Sequence, residues 1–512
     1  MSNQVISNSR IAKNTFVLYL RTMFVMVVSL YTSRVILQVL GVEDYGVYQV
    51  VGGLVSMFSI ISTSLSSAVS RFITFEIGRG QKERLGRIFA TSMLIQIGLC
   101  VVVVLAVEII GLWFLHNEMK IPEGRMEAAQ WVLHCSVITF CLGLLSVPYN
   151  ACIIAHERMT AFAYVSIVET ILKLGVVYLI AVSPVDSLIL FAVLLVILSA
   201  IIRLIYSIYC HKHFEESRTK IIFDKEIFKE MLGFSGWSFF NSTTYLLNTQ
   251  GVNMLINVYF GVVLNAARGI ATQVEGAVNS FVGNFTVAIN PQITKSYAAG
   301  ELSNMYLLVC RGARFSYFAM LFLSLPLIME CKQILDIWLV DVPEYAVIFV
   351  QLSLIMSMCS AIGNSGYTAC IATGKLKRYS IIITSIGLLE FPLAWLLFAY
   401  GASPVAAYYT YIVVRILVLI ARMFLLESMV GLKVSMYIKH VFAPIILTTI
   451  VAIGFPILLS YTMEQTIIRI PVMIVVTSVS VILSVFYLGM LKNERGVIIE
   501  KIRVQVEKFI KK

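Results

Sequence analysis

Charge is what this sequence has least of. Only 13% of its 512 residues are Asp, Glu, Lys or Arg, while 59% are hydrophobic. Soluble domains carry roughly 25% charged residues. A water-soluble chain of this length could not cover so much apolar side chain, so the sequence is that of a polytopic membrane protein. Cysteine is sparse and dispersed. None of the nine forms a CxxC pair, and most lie in apolar segments, so neither a disulfide framework nor a zinc site is expected. The six histidines are scattered, with only His211 and His213 close together. No metal centre and no cofactor are expected. A signal peptide is missing as well: the first apolar stretch, from about Asn14 to Leu40, is too long and carries Arg21 and Arg34. It reads as a retained first span.

What is present is hydrophobic length. A spanning helix needs about 20 mostly apolar residues. By that measure the chain is all-α with about 14 transmembrane helices, near 14–38, 46–70, 87–114, 127–153, 161–181, 187–209, 233–260, 266–290, 306–330, 346–371, 380–399, 404–426, 438–460 and 467–490. Basic residues concentrate in alternate connections: Arg71, Arg79, Lys82, Arg84 and Arg87; Lys212, Arg218, Lys220, Lys225 and Lys229; Lys375, Lys377 and Arg378. The opposite connections hold Glu43, Asp44, Glu118, Glu123, Asp186, Asp336, Asp341 and Glu344. The positive-inside rule then puts both termini in the cytoplasm. The net charge of +11 is a topology signal, and no nucleic-acid partner is expected, because the basic residues alternate with spans.

The chain also repeats itself. Tyr149-Asn150-Ala151-Cys152-Ile153 matches Tyr367-Thr368-Ala369-Cys370-Ile371, and Ser183-Pro184-Val185 matches Ser403-Pro404-Val405. Gly41-Val42 matches Gly261-Val262 at the same offset of about 220 residues. Two six-helix repeats plus a C-terminal helix pair follow, a frequent design for alternating access. The expected division is an N-terminal lobe over 1–210, a cytoplasmic linker over 211–232, a C-terminal lobe over 233–427, the terminal pair over 428–490 and a basic tail over 491–512. In the tail, Ile498, Ile502, Val506 and Ile510 recur at spacings of four among lysines and arginines. That fits either an amphipathic helix on the anionic leaflet or a solvated basic tail.

Ionisable residues inside spans are costly and are the first functional candidates. On the eighth span Arg268, Thr272, Glu275, Asn279, Thr286 and Asn290 share one face. The second span carries a stripe of hydroxyls, Ser56, Ser59, Thr63, Ser67, Ser70 and Thr74, and the seventh adds Ser238, Asn241, Tyr245 and Asn248. The cationic set is Arg21, Arg34, Lys173, Arg268 and Arg415, the last preceded by Tyr408 and Tyr411 on its own face. Glu169 and Lys173 are spaced for a helix ion pair. Glu275 and Glu390 are candidates for a coupling ion or for charge balance. Pro148, Pro326, Pro392, Pro444 and Pro456 interrupt spans.

With these residues in place the chain resembles a polysaccharide (O-antigen-type) flippase of the multidrug/oligosaccharidyl-lipid/polysaccharide (MOP) superfamily. The resemblance rests on Ser33-Arg34 with Leu40-Gly41-Val42-Glu43-Asp44-Tyr45-Gly46, and on Arg71-Phe72 with Glu76-Ile77-Gly78-Arg79-Gly80. It also rests on Asn265-Ala266-Ala267-Arg268-Gly269-Ile270-Ala271, Asn290-Pro291-Gln292-Ile293 and Tyr297-Ala298-Ala299-Gly300-Glu301. It implies two six-helix lobes around a cavity, a terminal pair able to form a lipid-tail groove, and movement of polyprenyl-diphosphate-linked glycan to the outer leaflet of a bacterial inner membrane. The family's cationic cavity maps onto Arg21, Arg34, Arg268 and Arg415, with Thr272, Asn279, Tyr408 and Tyr411 beside them. Membrane lipids, a glycan polymerase and glycosyltransferases are the implied partners. The chain is then a transporter and not an enzyme. A multidrug/cation antiporter is the nearest alternative, but it favours twelve spans and an acidic cavity. A glycan polymerase or ligase is a second; its catalysis usually needs a sizeable external loop, and the loops here are short.

Overall fold

The structure is a computed structural model. It describes residues 2–59, 69, 72–73, 76, 82–156, 158–218, 222–231, 244, 246–373, 376–464, 468–491, 494–496 and 499–500, except for the side chains of 2–21, 82, 159, 284–288, 291, 295, 298 and 376. The molecule is helical, with no strand among the described residues. Ten of the described helices are long and apolar enough to cross a membrane. Two further helices, Val262–Ala298 and Ala406–Val430, cover the expected eighth and twelfth spans and carry most of the candidate polar residues. The tail beyond 500 lies outside the described residues, as do Ile498, Thr63, Ser67, Ser70, Thr74, Ser238, Asn241 and Tyr245.

The chain divides into two compact units. The first comprises Met1–Gly269, Leu339–Glu344 and Phe398–Pro404; the second comprises Ile270–Trp338, Tyr345–Leu397 and Val405–Lys512. In the first unit, α1 (Ser2–Ser56) runs through the first expected span and into the second, and the connection expected between them is a kink at Gly41. Gly41 sits at φ 76°, ψ 174°, and its repeat partner Gly261 at φ 88°, ψ −178°. Only glycine enters this region without strain. The repeat is therefore written in backbone conformation as well as in letters.

The first unit continues with α2 (Lys82–Ala106), α3 (Leu112–Asn117), α4 (Met126–Ala155), α5 (Met159–Ala181) and α6 (Ser187–His213). Packing of α4 on α6 and of α1 on α5 builds its core. Pro148 stays inside α4. One cation ties three helix ends together: Arg125, at the start of α4, bonds the Asp44 carboxylate just past the Gly41 kink and reaches Asp186, the N-cap of α6, at 2.5 Å. Burial favours the neutral acid at Asp186. Arg125 and the amides of Ile189 and Leu188 outweigh it and hold the carboxyl below its usual value. The connection expected as a polar linker is mostly exposed among its described residues, with a few anchoring contacts. Glu216 is buried against His156 at 2.6 Å, and the Asp224 amide donates to Thr91 Oγ1.

After α7 (Val252–Phe260), α8 (Val262–Ala298) leads into the second unit. There α9 (Leu302–Met329) is followed by α10 (Cys331–Trp338), α11 (Ala346–Ala361), α12 (Asn364–Ala372), α13 (Leu376–Leu388), α14 (Glu390–Ala399), α15 (Ala406–Val430), α16 (Val434–Tyr437), α17 (Ala443–Thr462) and α18 (Arg469–Ser484). The terminal helices α17 and α18 are fixed to α9 at three levels. Arg469 at the head of α18 meets Glu330 at 3.0 Å, and Glu330 is 0% exposed. Midway, Tyr317 and Thr449 share a 2.9 Å hydrogen bond. At the far end Arg314, 1% exposed, donates to Glu494 at 2.8 Å and to the Gly489 carbonyl at 3.0 Å, and Arg311 joins the same carboxylate at 2.7 Å.

Removing one member of a buried ion pair strands the other without solvent. Arg469→Ala is expected to destabilise the protein by about 3–5 kcal/mol, and the double change Arg469→Met with Glu330→Leu to recover most of that. Thermal unfolding of detergent-purified variants, followed by tryptophan fluorescence, measures both.

Candidate functional site: a polar seam at two helix breaks

Two expected spans of the second unit run as single helices, 346–372 and 377–399, each with a short turn inside it. In the tenth the turn falls between α11 and α12 at Ile362–Gly363, and the Ile362 carbonyl accepts from the Tyr437 hydroxyl at 3.1 Å. In the eleventh it falls at Leu389, between α13 and α14. Pro392 falls in the first turn of α14, where it costs no helical hydrogen bond. Glu390 opens α14 and is 2% exposed. A helix N-terminus carries partial positive charge, which favours a carboxylate there. A turn inside a spanning helix leaves backbone polar groups that other groups of the protein must satisfy.

Side chains from α8 and α15 gather near these turns. Ser357, four residues before the end of α11, donates to Glu275 Oε1 at 2.7 Å and accepts from Asn279 Nδ2 at 3.0 Å. Glu275 and Asn279 lie one turn apart on α8. On α15 the Arg415 guanidinium lies 4.4 Å from the Tyr411 ring centroid, a cation–π contact, and its Nε is buried without a hydrogen-bond partner. Arg415, Glu390 and Glu275 all act electrostatically on the Tyr411 hydroxyl. Two contact sets result: Ser357 with Glu275 and Asn279, and Arg415 with Tyr411.

The remaining candidates are distributed differently. Tyr408 turns into the core against Phe349, with ring centroids 4.7 Å apart. Thr272 is exposed on α8. Arg34, Arg268, Glu169 and Lys173 belong to the first unit. Arg34 is half-buried on α1, and the side chain of Arg21 lies outside the described residues. Lys173 Nζ meets Glu169 Oε1 at 2.7 Å on an exposed face of α5. Arg268 acts close to home, where its Nη2 donates to the carbonyls of Asn248 and Thr249 at 3.3 and 3.2 Å. Those carbonyls belong to a π-helical turn, Leu247–Gly251, whose wider winding removes the regular i→i−4 bonds.

The candidates drawn from sequence omitted several intramembrane ionic residues. Arg203 lies over the Tyr149 ring at 4.2 Å. Arg422 takes the Tyr379 hydroxyl as acceptor at 2.8 Å. Arg314 and Glu330 hold the terminal helices. A search of every expected span for charge alone would have found the three arginines. Ser357 left no such signal, since serine is common in spanning helices.

The fold is that of the MOP exporters. A solved structure described as "Lipid II flippase MurJ, inward closed conformation" superposes with a TM-score of 0.69 at 13% identity, covering 91% of this chain and 97% of that one. A multidrug resistance MATE family transporter of the MOP superfamily, in an inward-facing conformation, gives a TM-score of 0.59 at 13% identity over 80% of this chain and 96% of that one. The family is fixed by sequence: a profile described as "Polysaccharide biosynthesis protein" matches residues 11–297, and the chain belongs to that family. The "Uncharacterized membrane protein EpsK" of Bacillus subtilis (strain 168) is 23% identical over 290 residues, 54% of this chain and only 55% of the relative's length.

Losing the Arg268 side chain removes its hydrogen bonds to two carbonyls of the π-helical turn. Arg268→Ala is expected to speed amide hydrogen exchange across 247–254 by about ten-fold, the factor that roughly 1.4 kcal/mol represents. Exchange at Ser357 and Tyr411 should stay unchanged. Hydrogen-exchange mass spectrometry on the purified protein reads both segments.

Proposed function

We propose that this protein is a flippase. It moves a polyprenyl-diphosphate-linked oligosaccharide, an O-antigen, capsule or exopolysaccharide unit, from the inner to the outer leaflet of a bacterial cytoplasmic membrane by alternating access, with both termini cytoplasmic. The observation that carries the reading is the polar seam near the α11/α12 and α13/α14 turns, in a chain of the polysaccharide biosynthesis family. Lipid does not wet Glu275, Glu390 and Arg415, so the seam faces protein or water. Family membership supports a glycan pathway, and the flippase and exporter names of the structural neighbours support a transport role.

The physics of the substrate suits the residues. A diphosphate is best met by planar, permanently charged guanidinium groups. Arg34, Arg268 and Arg415, with Arg21, are the candidates for that contact, and Tyr411 offers a ring and a hydroxyl to a sugar. The prenyl chain stays in lipid while the head crosses. With the cytoplasm negative, outward movement of an anion is downhill by roughly 2.3 kcal/mol per charge per 100 mV. The seam's carboxylates serve another purpose. An acidic pair beside a phosphate path repels the substrate unless it holds a proton or cation, so Glu275 and Glu390 are assigned to coupling or charge balance. Polymerases and glycosyltransferases of the same pathway are the expected partners.

The test uses proteoliposomes loaded with a fluorescent polyprenyl-diphosphate oligosaccharide. Arg415→Ala is expected to lower the transport rate by about ten-fold or more, and Arg415→Lys to restore part of it, because lysine keeps the charge without the bidentate fork. Glu275→Gln is expected to retain transport but lose its dependence on an imposed proton or sodium gradient. Normal rates in Arg415→Ala together with unaltered gradient dependence in Glu275→Gln would reject the seam as the functional site.

A further inference from the structure

The first unit contains an apolar cavity of about 370 Å³, set between two places where the helical winding widens. One is the π-helical turn Val107–Gly111, which joins α2 to α3. The other is the turn Leu247–Gly251, which precedes α7. Each inserts an extra residue into a turn and pushes its helix off regular packing. The walls include Leu54 and Phe58 at the end of α1, Ala106, Ile110 and Phe114 around the first π-helical turn, and Met254 on α7. Among the described residues, every side chain lining the space is apolar. Water gains no hydrogen bonds in such a cavity, and left empty its walls forgo their dispersion contacts.

The cavity opens where Ile110 is 64% exposed. Ile110 belongs to a band of exposed apolar side chains along α2 and α3, with Val101, Leu105, Ile109 and Trp113. In a membrane only hydrocarbon wets that band. Its depth is marked by sequence: Trp113, an interfacial residue type, lies less than one turn beyond Ile110, and the polar His116 and Asn117 follow at once. The cavity therefore lies at the level where the chains of one leaflet begin. A phospholipid of that leaflet places its first methylenes at this height and its head group beside His116 and Asn117.

We infer that this cavity is a lipid site, occupied by one acyl chain of a bilayer phospholipid, which fills the space left by the two π-helical turns. Bilayer phospholipid is in large excess over any other hydrocarbon chain, and mass action favours it at a site whose described lining is apolar throughout. The chain would brace the turn whose carbonyls Arg268 holds.

The experiment uses the full-length protein in vesicles of phosphatidylethanolamine and phosphatidylglycerol, with a trace of phosphatidylglycerol carrying a diazirine in one acyl chain. After irradiation, adducts are mapped by mass spectrometry. Adducts on Phe58, Ile110, Phe114 and Met254 are expected to exceed those on Ile171 and Leu179, exposed residues of α5 away from the cavity walls. A chain of the bilayer is already in hydrocarbon before it enters, so the excess reflects residence and close contact with the cavity walls, not removal from water. Ala106→Trp fills the cavity and should remove the excess while leaving the α5 adducts unchanged. Should that variant fail to elute as a monodisperse peak, Met254→Trp fills the space from the opposite wall. Cavity adducts no denser than those on α5, or unaffected by filling, would overturn the site. Displacement of the excess by an equimolar polyprenyl phosphate would overturn the assignment to phospholipid.

Discussion

A membrane interior offers no water to a backbone carbonyl or a charged side chain, so every polar group there needs a partner from the chain itself. Most of the architecture follows from that constraint. The α-helix satisfies the backbone along the spans. Where the helices depart from it, side chains make up the loss. Arg268 supplies two carbonyls of a π-helical turn, and the Tyr437 hydroxyl supplies Ile362 at the α11/α12 turn. The same constraint explains the buried pairs. Arg469 with Glu330, and Arg314 with Glu494, are tolerable in hydrocarbon only as pairs, and their geometry fixes α17 and α18 to α9.

The terminal helices are in consequence part of the second unit rather than an appendage. Ion pairs at both ends and the Tyr317–Thr449 bond between them leave little freedom to slide along α9. A lipid tail running along these helices would meet a surface that moves with the second unit. The first unit uses charge differently. Arg125 gathers Asp44 and Asp186 at the ends of helices and leaves the interior to apolar packing.

The seam is where the second unit departs from economy. Charged side chains such as Glu275, Glu390 and Arg415 are costly within spanning helices. Such expense is ordinary at transport sites, where polar groups must be ready for a solute. The Ser357 hydroxyl, bridging Glu275 and Asn279, shows how the set is held: each polar atom orients the next.

The sequence alone determined the class, the helical fold and the doubling of the chain. These follow from composition, the length of apolar runs and repeated letters, all of which are local or additive properties. It also supplied most residues of the seam, because a charge in an apolar run is conspicuous whatever its surroundings. The tertiary structure decided what those charges do. Arg268 and Arg415 look alike in sequence, yet one holds a π-helical turn and the other lies over a tyrosine ring beside two carboxylates. Tyr408 and Tyr411, three residues apart, go to core and seam. The partners of Ile362, Arg314 and Arg469 were not legible, since each lies more than seventy positions away. Partnership across that distance is set by packing, and hydropathy carries no record of it.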